Sequence, residues 1–500
     1  MDVISHLLLG LDTAVTMTNL LACFLGVFLG TAIGVLPGLG PVATISILLP
    51  ITFGFPPVAS LIMLAGIYYG AQYGGSTTAI LVNLPGEPSA VVTALEGHKL
   101  ARKGRASQTL AVAALGSFIA GTIATLAIAL FSPPLAEIAI HFGPAEYFSL
   151  MMLGLVASIV LAEGSLLHAF AMIVLGLLFG IVGTDINSGA IRMTLGLPEL
   201  SDGLNFVVIA MGIFGLAEIV ANLQDEQRRV VVTTSLRGIL PSWADWKRIT
   251  APILRGTALG SVLGILPGGG AMLASFVSYS VEKKVSSHRE EFGQGAIEGV
   301  AGPESANNAA AQTSFIPMLT LGIPSNPVMA LMIGALIIQG IQPGPMVMTE
   351  QPALFWGVIV SMWIGNLFLL ALNLPLVGLW AKMISIPYHF LYPAIVLFCV
   401  IGAFSLNNSV FDIYALCIFG IFGYVLRIIG CEPAPMLLGF VLGPMIEEHM
   451  RRALLLSNGD PSVFVTSPWS AAMLFIAAAL LLIVLLPQVK RNRAEAFREE

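Results

Sequence analysis

Two stretches place helix-breaking residues where an apolar run would otherwise continue: "GVLPGLGPVATISIL" (Gly34–Leu48) and "GILPGGGAMLASFVS" (Gly264–Ser278). A proline removes an amide donor and crowds the preceding turn, and glycine relaxes the backbone. A helix entering either stretch must therefore stop near Pro37–Gly38 or Pro267–Gly268 and restart near Gly40 or Gly270. The restarted helix presents free amides and the positive end of its dipole, a natural seat for a carboxylate. On that chemistry Pro37, Gly38, Leu39, Gly40, Pro267, Gly268, Gly269 and Gly270 are candidate substrate-binding residues. Glycine-lined contact between close-packed helices is the alternative use of the same residues.

A second pair of breaks, "LPGEP" (Leu84–Pro88) and "IPSNP" (Ile323–Pro327), lies among polar side chains. Ser76, Thr77 and Thr78 precede the first, and Ser305, Asn307 and Asn308 precede the second; all six are candidate substrate contacts. Asn83, Glu304, Thr313, Ser314, Ser325 and Asn326 are candidates for holding a coupling ion, because hydroxyls, amides, carboxylates and freed carbonyls together make an oxygen cage. Serine and threonine also bond to their own helix backbone, the blander reading for any one of them. No Lys or Arg lies inside these four motifs, so helix ends and neutral donors would have to neutralise a bound anion. Glu87, Glu282, Glu298 and Glu304 flank them, either as buried carboxylates or as solvated loop charges. Arg192 and Arg452 sit in similar contexts, each before an acidic turn near Asp202 or Asp460, as interfacial anchors, Arg–Asp pairs or a substrate-attracting charge.

What is missing narrows the chemistry. Seven histidines show no HExxH or clustered spacing, and there is no Walker A sequence and no GxSxG. The four cysteines, Cys23, Cys399, Cys417 and Cys431, have no metal-ligand spacing and read as packing residues. The expectation is no enzyme, no metal site and no cofactor beyond a sodium ion or proton as coupling ion.

The elements that must position these residues are membrane helices. The chain has 500 residues, 57% hydrophobic and 10% charged, against roughly 25% charged in soluble domains. Apolar runs fit spans near 17–35, 58–82, 107–132, 144–162, 164–184 and 201–222, then 251–267, 296–324, 326–341, 354–381, 387–405, 410–427, 434–447 and 467–487. The pieces 41–53 and 270–282 are too short to cross. The first span lacks a basic leader and a cleavage site, so it reads as retained. Basic residues in Glu96–Ser107, in the 223–250 connector and in the tail place those segments in the cytoplasm; 133–144, 342–353 and 406–409 lack Lys and Arg and face outward.

Order and spacing repeat. Gly34 pairs with Gly264 (offset 230), Leu84 with Ile323 (offset 239), and Pro144 with Pro387 (offset 243). The expected architecture is an all-α polytopic membrane protein of about a dozen transmembrane helices in two inverted repeats with broken helices or re-entrant hairpins. It divides into 1–222, a first repeat; 223–250, a cytoplasmic connector; 251–489, a second repeat; and 490–500, a cytoplasmic tail. Such repeats are a recurrent plan of secondary transporters. A passive anion channel, or a carrier of another small polar solute, is the competing reading.

At "GVLPGLGP", "YGGSTTAILVNLPGEPSAVVTALEGHKLARKGRA", "GILPGGGAMLASFVSYSVEKK", "GAIEGVAGPESANNAAAQTSFIPMLTLGIPSNPVMALMIGAL" and "EEHMRRALLLSNGD" the chain resembles the large membrane (permease) subunit of the tripartite tricarboxylate transporter family. The resemblance covers essentially the whole chain. It implies secondary active import of tricarboxylates or related organic carboxylates, driven by a sodium or proton gradient, across the bacterial inner membrane. It also implies two partners: a small membrane subunit and an extracytoplasmic solute-binding protein. Carried over residue by residue, its substrate region falls on Pro37–Gly40, Ser76–Thr78, Pro267–Gly270 and Ser305–Asn308.

Overall fold

The computed structural model describes residues 3–36, 38–162, 165–185, 188–222, 232, 239–268, 270–386 and 388–485. Pro37 and Gly269, most of the 223–250 connector with Arg228, Arg229 and Arg237, and the 490–500 tail lie outside the described residues. The described chain is an all-α polytopic arrangement, apart from a two-residue ribbon, Gly183–Thr184 paired with Ile191–Arg192. Five helices are long and apolar enough to cross a membrane, and seven further apolar helices have 10–17 residues.

Two of the most deeply buried helices are not among these twelve. Pro57–Val82 mixes large apolar residues with Gly, Ser, Thr and Gln, and Glu298–Thr313 is filled with Gly, Ala, Ser, Thr and Asn. Nearly every residue of both is buried, so neither needs an apolar face toward lipid.

Each of these helices packs in parallel against a partner preceding a helix break. Gly26, Gly30 and Gly34 of Met17–Gly34 lie on the carbonyl oxygens of Met63, Ile67 and Ala71, with no room for a Cβ. Gly256 and Gly260 of Trp243–Leu263, with Gly264 that caps it, lie in the same way on Gly302, Ala306 and Ala310. The glycines are offset by 230 and their carbonyl partners by 239, the two offsets of the repeated motifs. Small residues at such a seam let backbones approach until dispersion contacts run their whole length. In each copy a short helix, Pro41–Thr52 or Gly270–Val285, follows the break in the chain and packs against the buried helix of the pair.

Several expected boundaries are corrected. The 107–132 span runs from Ala106 to Ile140, straight through Pro133 and Pro134, so most of the expected 133–144 loop is helix. The 354–381 span divides into Pro352–Asn373 and Val377–Ile384 around Pro375, which cannot donate to the preceding turn. The 296–324 span divides at Ser314. An additional helix, Val3–Ala14, packs against Pro352–Asn373, with Gly10 on the Trp356 carbonyl.

Candidate functional site

Each helix break is shaped by its own glycine. Gly38 and Gly268 hold φ of +84° and +89°, the left-handed region that L side chains avoid. After the turn, Gly40 caps Pro41–Thr52 in extended conformation with Pro41 at the first helical position, and Gly270 opens Gly270–Val285. The tip of each hairpin meets the second break of its own copy. Gly40 lies 3.2 Å, measured from an ideal Cβ, from the Gly86 carbonyl and beside Glu87; Gly270 lies beside Asn326. These contacts are equivalent at offsets 230 and 239. In the second copy the Gly268 amide also donates to the Ser325 carbonyl at 2.7 Å.

The second breaks are built alike. Asn83 closes Pro57–Val82 at φ +58°, and Gly322 closes Phe315–Leu321 at φ +71°, 239 residues later. Asn326 caps Pro327–Ile338, its Oδ1 accepting from the Met329 amide at 3.0 Å.

Polar side chains then cross between the copies. Asn307 Nδ2 donates to Glu87 Oε1 at 3.0 Å, and Tyr68 packs on Phe315 of the second copy, close to Asn326. Tyr68 is equivalent to Asn307, and Glu87 to Asn326, both at offset 239. The two pairs therefore occupy equivalent positions of the repeated sequence, one a hydrogen bond and the other a near neighbour. Nearby, Glu304 Oε2 accepts from Ser76 Oγ at 2.8 Å and Glu304 Oε1 accepts from Thr93 Oγ1. Asn308 Nδ2 donates to Ser117 Oγ at 2.6 Å and to the Glu304 carbonyl at 3.0 Å.

The model of the tripartite tricarboxylate transporter TctA family matches residues 20–438. The chain belongs to this family. A similar protein of Agrobacterium vitis, described as "Uncharacterized 52.8 kDa protein in TAR-I ttuC' 3'region", is 62% identical over 500 residues, covering all of both chains. A second from the same organism, "Uncharacterized protein in TAR-II ttuC' 3'region", is 64% identical over 241 residues, 48% of this chain and all of that one. No solved structure matches.

Within this TctA-family chain the remaining sequence candidates divide by where their polar atoms go. Thr77, Thr313 and Ser314 donate to their own helix, on Tyr73, Ala309 and Ala311. Thr78 Oγ1 reaches the Val35 carbonyl at 2.9 Å and so ties the first helix break to Pro57–Val82. Leu39 packs with Leu36 and Ala43, and Ser305 packs against Gly116. Pro267 sits in the turn, and Ser325 Oγ reaches the Ser314 carbonyl at 3.4 Å. Thr93, Ser117 and Tyr73 escaped the sequence reading: Ser117 is a lone polar group in an apolar run, and neither Thr93 nor Tyr73 has a spacing that marks it.

The flanking acids are not solvated loop charges. Glu282 is buried and bound by Arg255 at 2.6 Å, and Glu298 is buried and bound by Arg248 at 2.7 Å. Arg192 pairs with Glu447 at 2.8 Å rather than with Asp202, and Arg452 pairs with Glu448 at 3.3 Å rather than with Asp460. In the 286–297 loop, the Arg248 guanidinium beside Glu291 holds its carboxyl below the usual carboxylate range.

Proposed function

We propose that this chain is the carrier subunit for secondary active import of tricarboxylates or related organic carboxylates, driven by a sodium or proton gradient. Residues 1–222 and 251–489 act as two inverted halves, joined by the cytoplasmic 223–250 connector and ending in a cytoplasmic tail at 490–500. The substrate seat lies at Pro37–Gly40, Ser76–Thr78, Pro267–Gly270, Ser305, Asn307 and Asn308. The observation that carries the reading is the hydrogen bond from Asn307 to Glu87 between the copies, with their equivalents Tyr68 and Asn326 close neighbours and each hairpin tip against the second break of its own copy. A two-fold arrangement of broken helices offers amide ends of both copies to one anion and lets the halves exchange roles when one moves against the other. A small membrane subunit and an extracytoplasmic solute-binding protein complete the system in the bacterial inner membrane.

The test is uptake of a labelled carboxylate panel into proteoliposomes holding the chain, its small subunit and its binding protein, with sodium and proton gradients imposed separately. Gradient-driven accumulation that Gly268→Leu and Asn307→Ala abolish, in protein that still elutes as the wild type does, supports a coupled carrier. Equilibration without accumulation under either gradient identifies a passive channel and overturns the proposal. Full uptake by both variants overturns the site.

A further inference from the structure

Beside Glu304 lies a cavity of about 20 Å³, room for a single water-sized particle and far too small for a carboxylate substrate. Its polar lining comes from Tyr73, Ser76, Thr77, Ser117, Glu304 and Asn373. All six are buried.

Every polar atom these residues can turn to the cavity, the Asn373 Nδ2 apart, is an oxygen, and three of the hydroxyls already give their proton elsewhere. Ser76 Oγ donates to Glu304, Thr77 Oγ1 to the Tyr73 carbonyl at 3.0 Å and the Tyr73 hydroxyl to the Ala114 carbonyl at 3.4 Å, while Ser117 Oγ accepts from Asn308. Asn373 Nδ2 donates to the Leu369 carbonyl at 2.9 Å, which leaves Asn373 Oδ1 buried with no hydrogen-bond partner in the protein. A buried orphan oxygen costs about 1–3 kcal/mol unless something takes its lone pairs. Glu282, Glu298 and Asp245 each meet an arginine, Glu96 meets three backbone amides and the Tyr279 hydroxyl, and Glu87 meets the Asn307 amide, whereas Glu304 meets only hydroxyls among the described residues.

We propose that this cavity is a sodium site, with Glu304 supplying the charge and Ser76, Thr77, Ser117 and Asn373 supplying neutral oxygens. The proposal rests on the reading of the chain as a coupled carrier. An all-oxygen set around one carboxylate suits a hard monovalent cation. A proton would be taken by Glu304 alone, whereas a metal ion also takes the lone pairs that the hydroxyls and Asn373 Oδ1 still hold. The ion would also neutralise one of the two buried carboxylates, Glu304 and Glu87, that repel an anion here, so sodium would bind before or with the substrate. Asn373 is the residue this assigns anew.

The experiment is sodium binding to the purified full chain in lipid nanodiscs, by radiotracer and by calorimetry, with choline replacing sodium at constant ionic strength. Saturable sodium binding that potassium does not reproduce is expected. Asn373→Ala and Glu304→Gln should weaken it by about tenfold or more. Thr77→Val, which keeps the shape, guards against loss through misfolding: it should weaken binding while eluting as the wild type does. Absence of saturable sodium binding by the folded wild type, or unchanged binding in both Asn373→Ala and Thr77→Val, overturns the site. Uptake driven by a proton gradient alone, with no sodium binding, overturns the site but leaves the carrier standing. Sodium binding here without gradient-driven uptake keeps the site and removes the carrier.

Discussion

Gly38 and Gly268 occupy equivalent turns with nearly the same φ, yet they face different neighbours. A Cβ added at Gly38 would meet the Asn222 carboxamide at 2.5 Å, the far end of a side chain that can swing away. At Gly268 it would meet the Ser158 Cα at 2.7 Å and the Ala157 carbonyl at 2.9 Å, which cannot. Alanine pays about 1–2 kcal/mol for the left-handed backbone at either position. Overpacking against fixed backbone adds about 1–3 kcal/mol at Gly268 alone. Gly268→Ala should therefore lower the thermal unfolding midpoint of the purified chain more than Gly38→Ala; the reverse order would show that the two tips do not pack as described. These positions were legible in the sequence because only glycine and proline serve such turns. The destinations of the hydroxyls were not. Ser76 and Thr77 are adjacent and chemically alike, but about 100° of helix rotation separates them, and only Ser76 reaches Glu304, 228 residues away.

At the scale of elements, the 286–297 loop is held by one helix of the first copy. Glu96, fully buried on Val91–Leu100, accepts from the amides of Gly293, Gly295 and Ala296 and from the Tyr279 hydroxyl. Lys99 and Lys103 donate to the Gly293 and Gln294 carbonyls at 2.5 and 2.7 Å. Glu96→Ala leaves three amides without an acceptor, each worth about 1–3 kcal/mol. Amide exchange at Gly293–Ala296 should then accelerate by about a hundredfold, with Glu298–Thr313 unchanged; unaltered exchange in the loop would mean that Glu96 does not hold it. Acid should loosen the same loop. Because Arg248 depresses the Glu291 carboxyl, the stability of that pair is complete above its ordinary value of 4.5 and is lost as pH falls through the lowered one. The sequence showed "EGHKLARKGRAS" as a basic, cytoplasm-facing stretch, and its Lys and Arg residues obscured the buried acid among them. Helix breaks at Gly and Pro motifs were read correctly, whereas Pro133–Pro134 was expected to end a helix that the structure continues to Ile140. A proline pair costs a helix its local hydrogen bonds, but packing outweighs that loss, and packing depends on partners distant in sequence.

Across the whole molecule, ion pairs and hydrogen bonds collect at two opposite ends. One end joins Arg105 to Asp245, Arg248 to Glu291 and Glu298, and Lys99 to Gly293. The other joins Glu146 to Ser467, Ser149 to Ser470, Arg451 to Asp185 and Arg192 to Glu447. Helix Ala106–Ile140 starts beside the first and ends beside the second; its 35 residues span roughly 52 Å at 1.5 Å per residue, more than the hydrocarbon core of about 30 Å. A helix of that length can place the two ends on opposite faces of a bilayer. The first is the more basic, carrying Lys99, Arg102, Lys103, Arg105, Lys247, Arg248, Lys283 and Lys284, and the bias of such residues toward the cytoplasm is the basis of the proposed orientation. Contacts of Gly176 with Met436 and Gly180 with Phe440 set Leu166–Gly180 and Ala434–Leu456 parallel, both rising to the second end, so that Pro468–Leu485 returns toward the first. That return is what a cytoplasmic tail requires. Exposed single cysteines test the arrangement: Glu199→Cys at the second end should react with a membrane-impermeant maleimide in intact cells, and Ser287→Cys at the first only after permeabilisation, each read above the background of exposed Cys417. Labelling of both in intact cells would break the two-ended arrangement, and labelling of Ser287→Cys alone would keep it while reversing its orientation, and with it the direction assigned to transport.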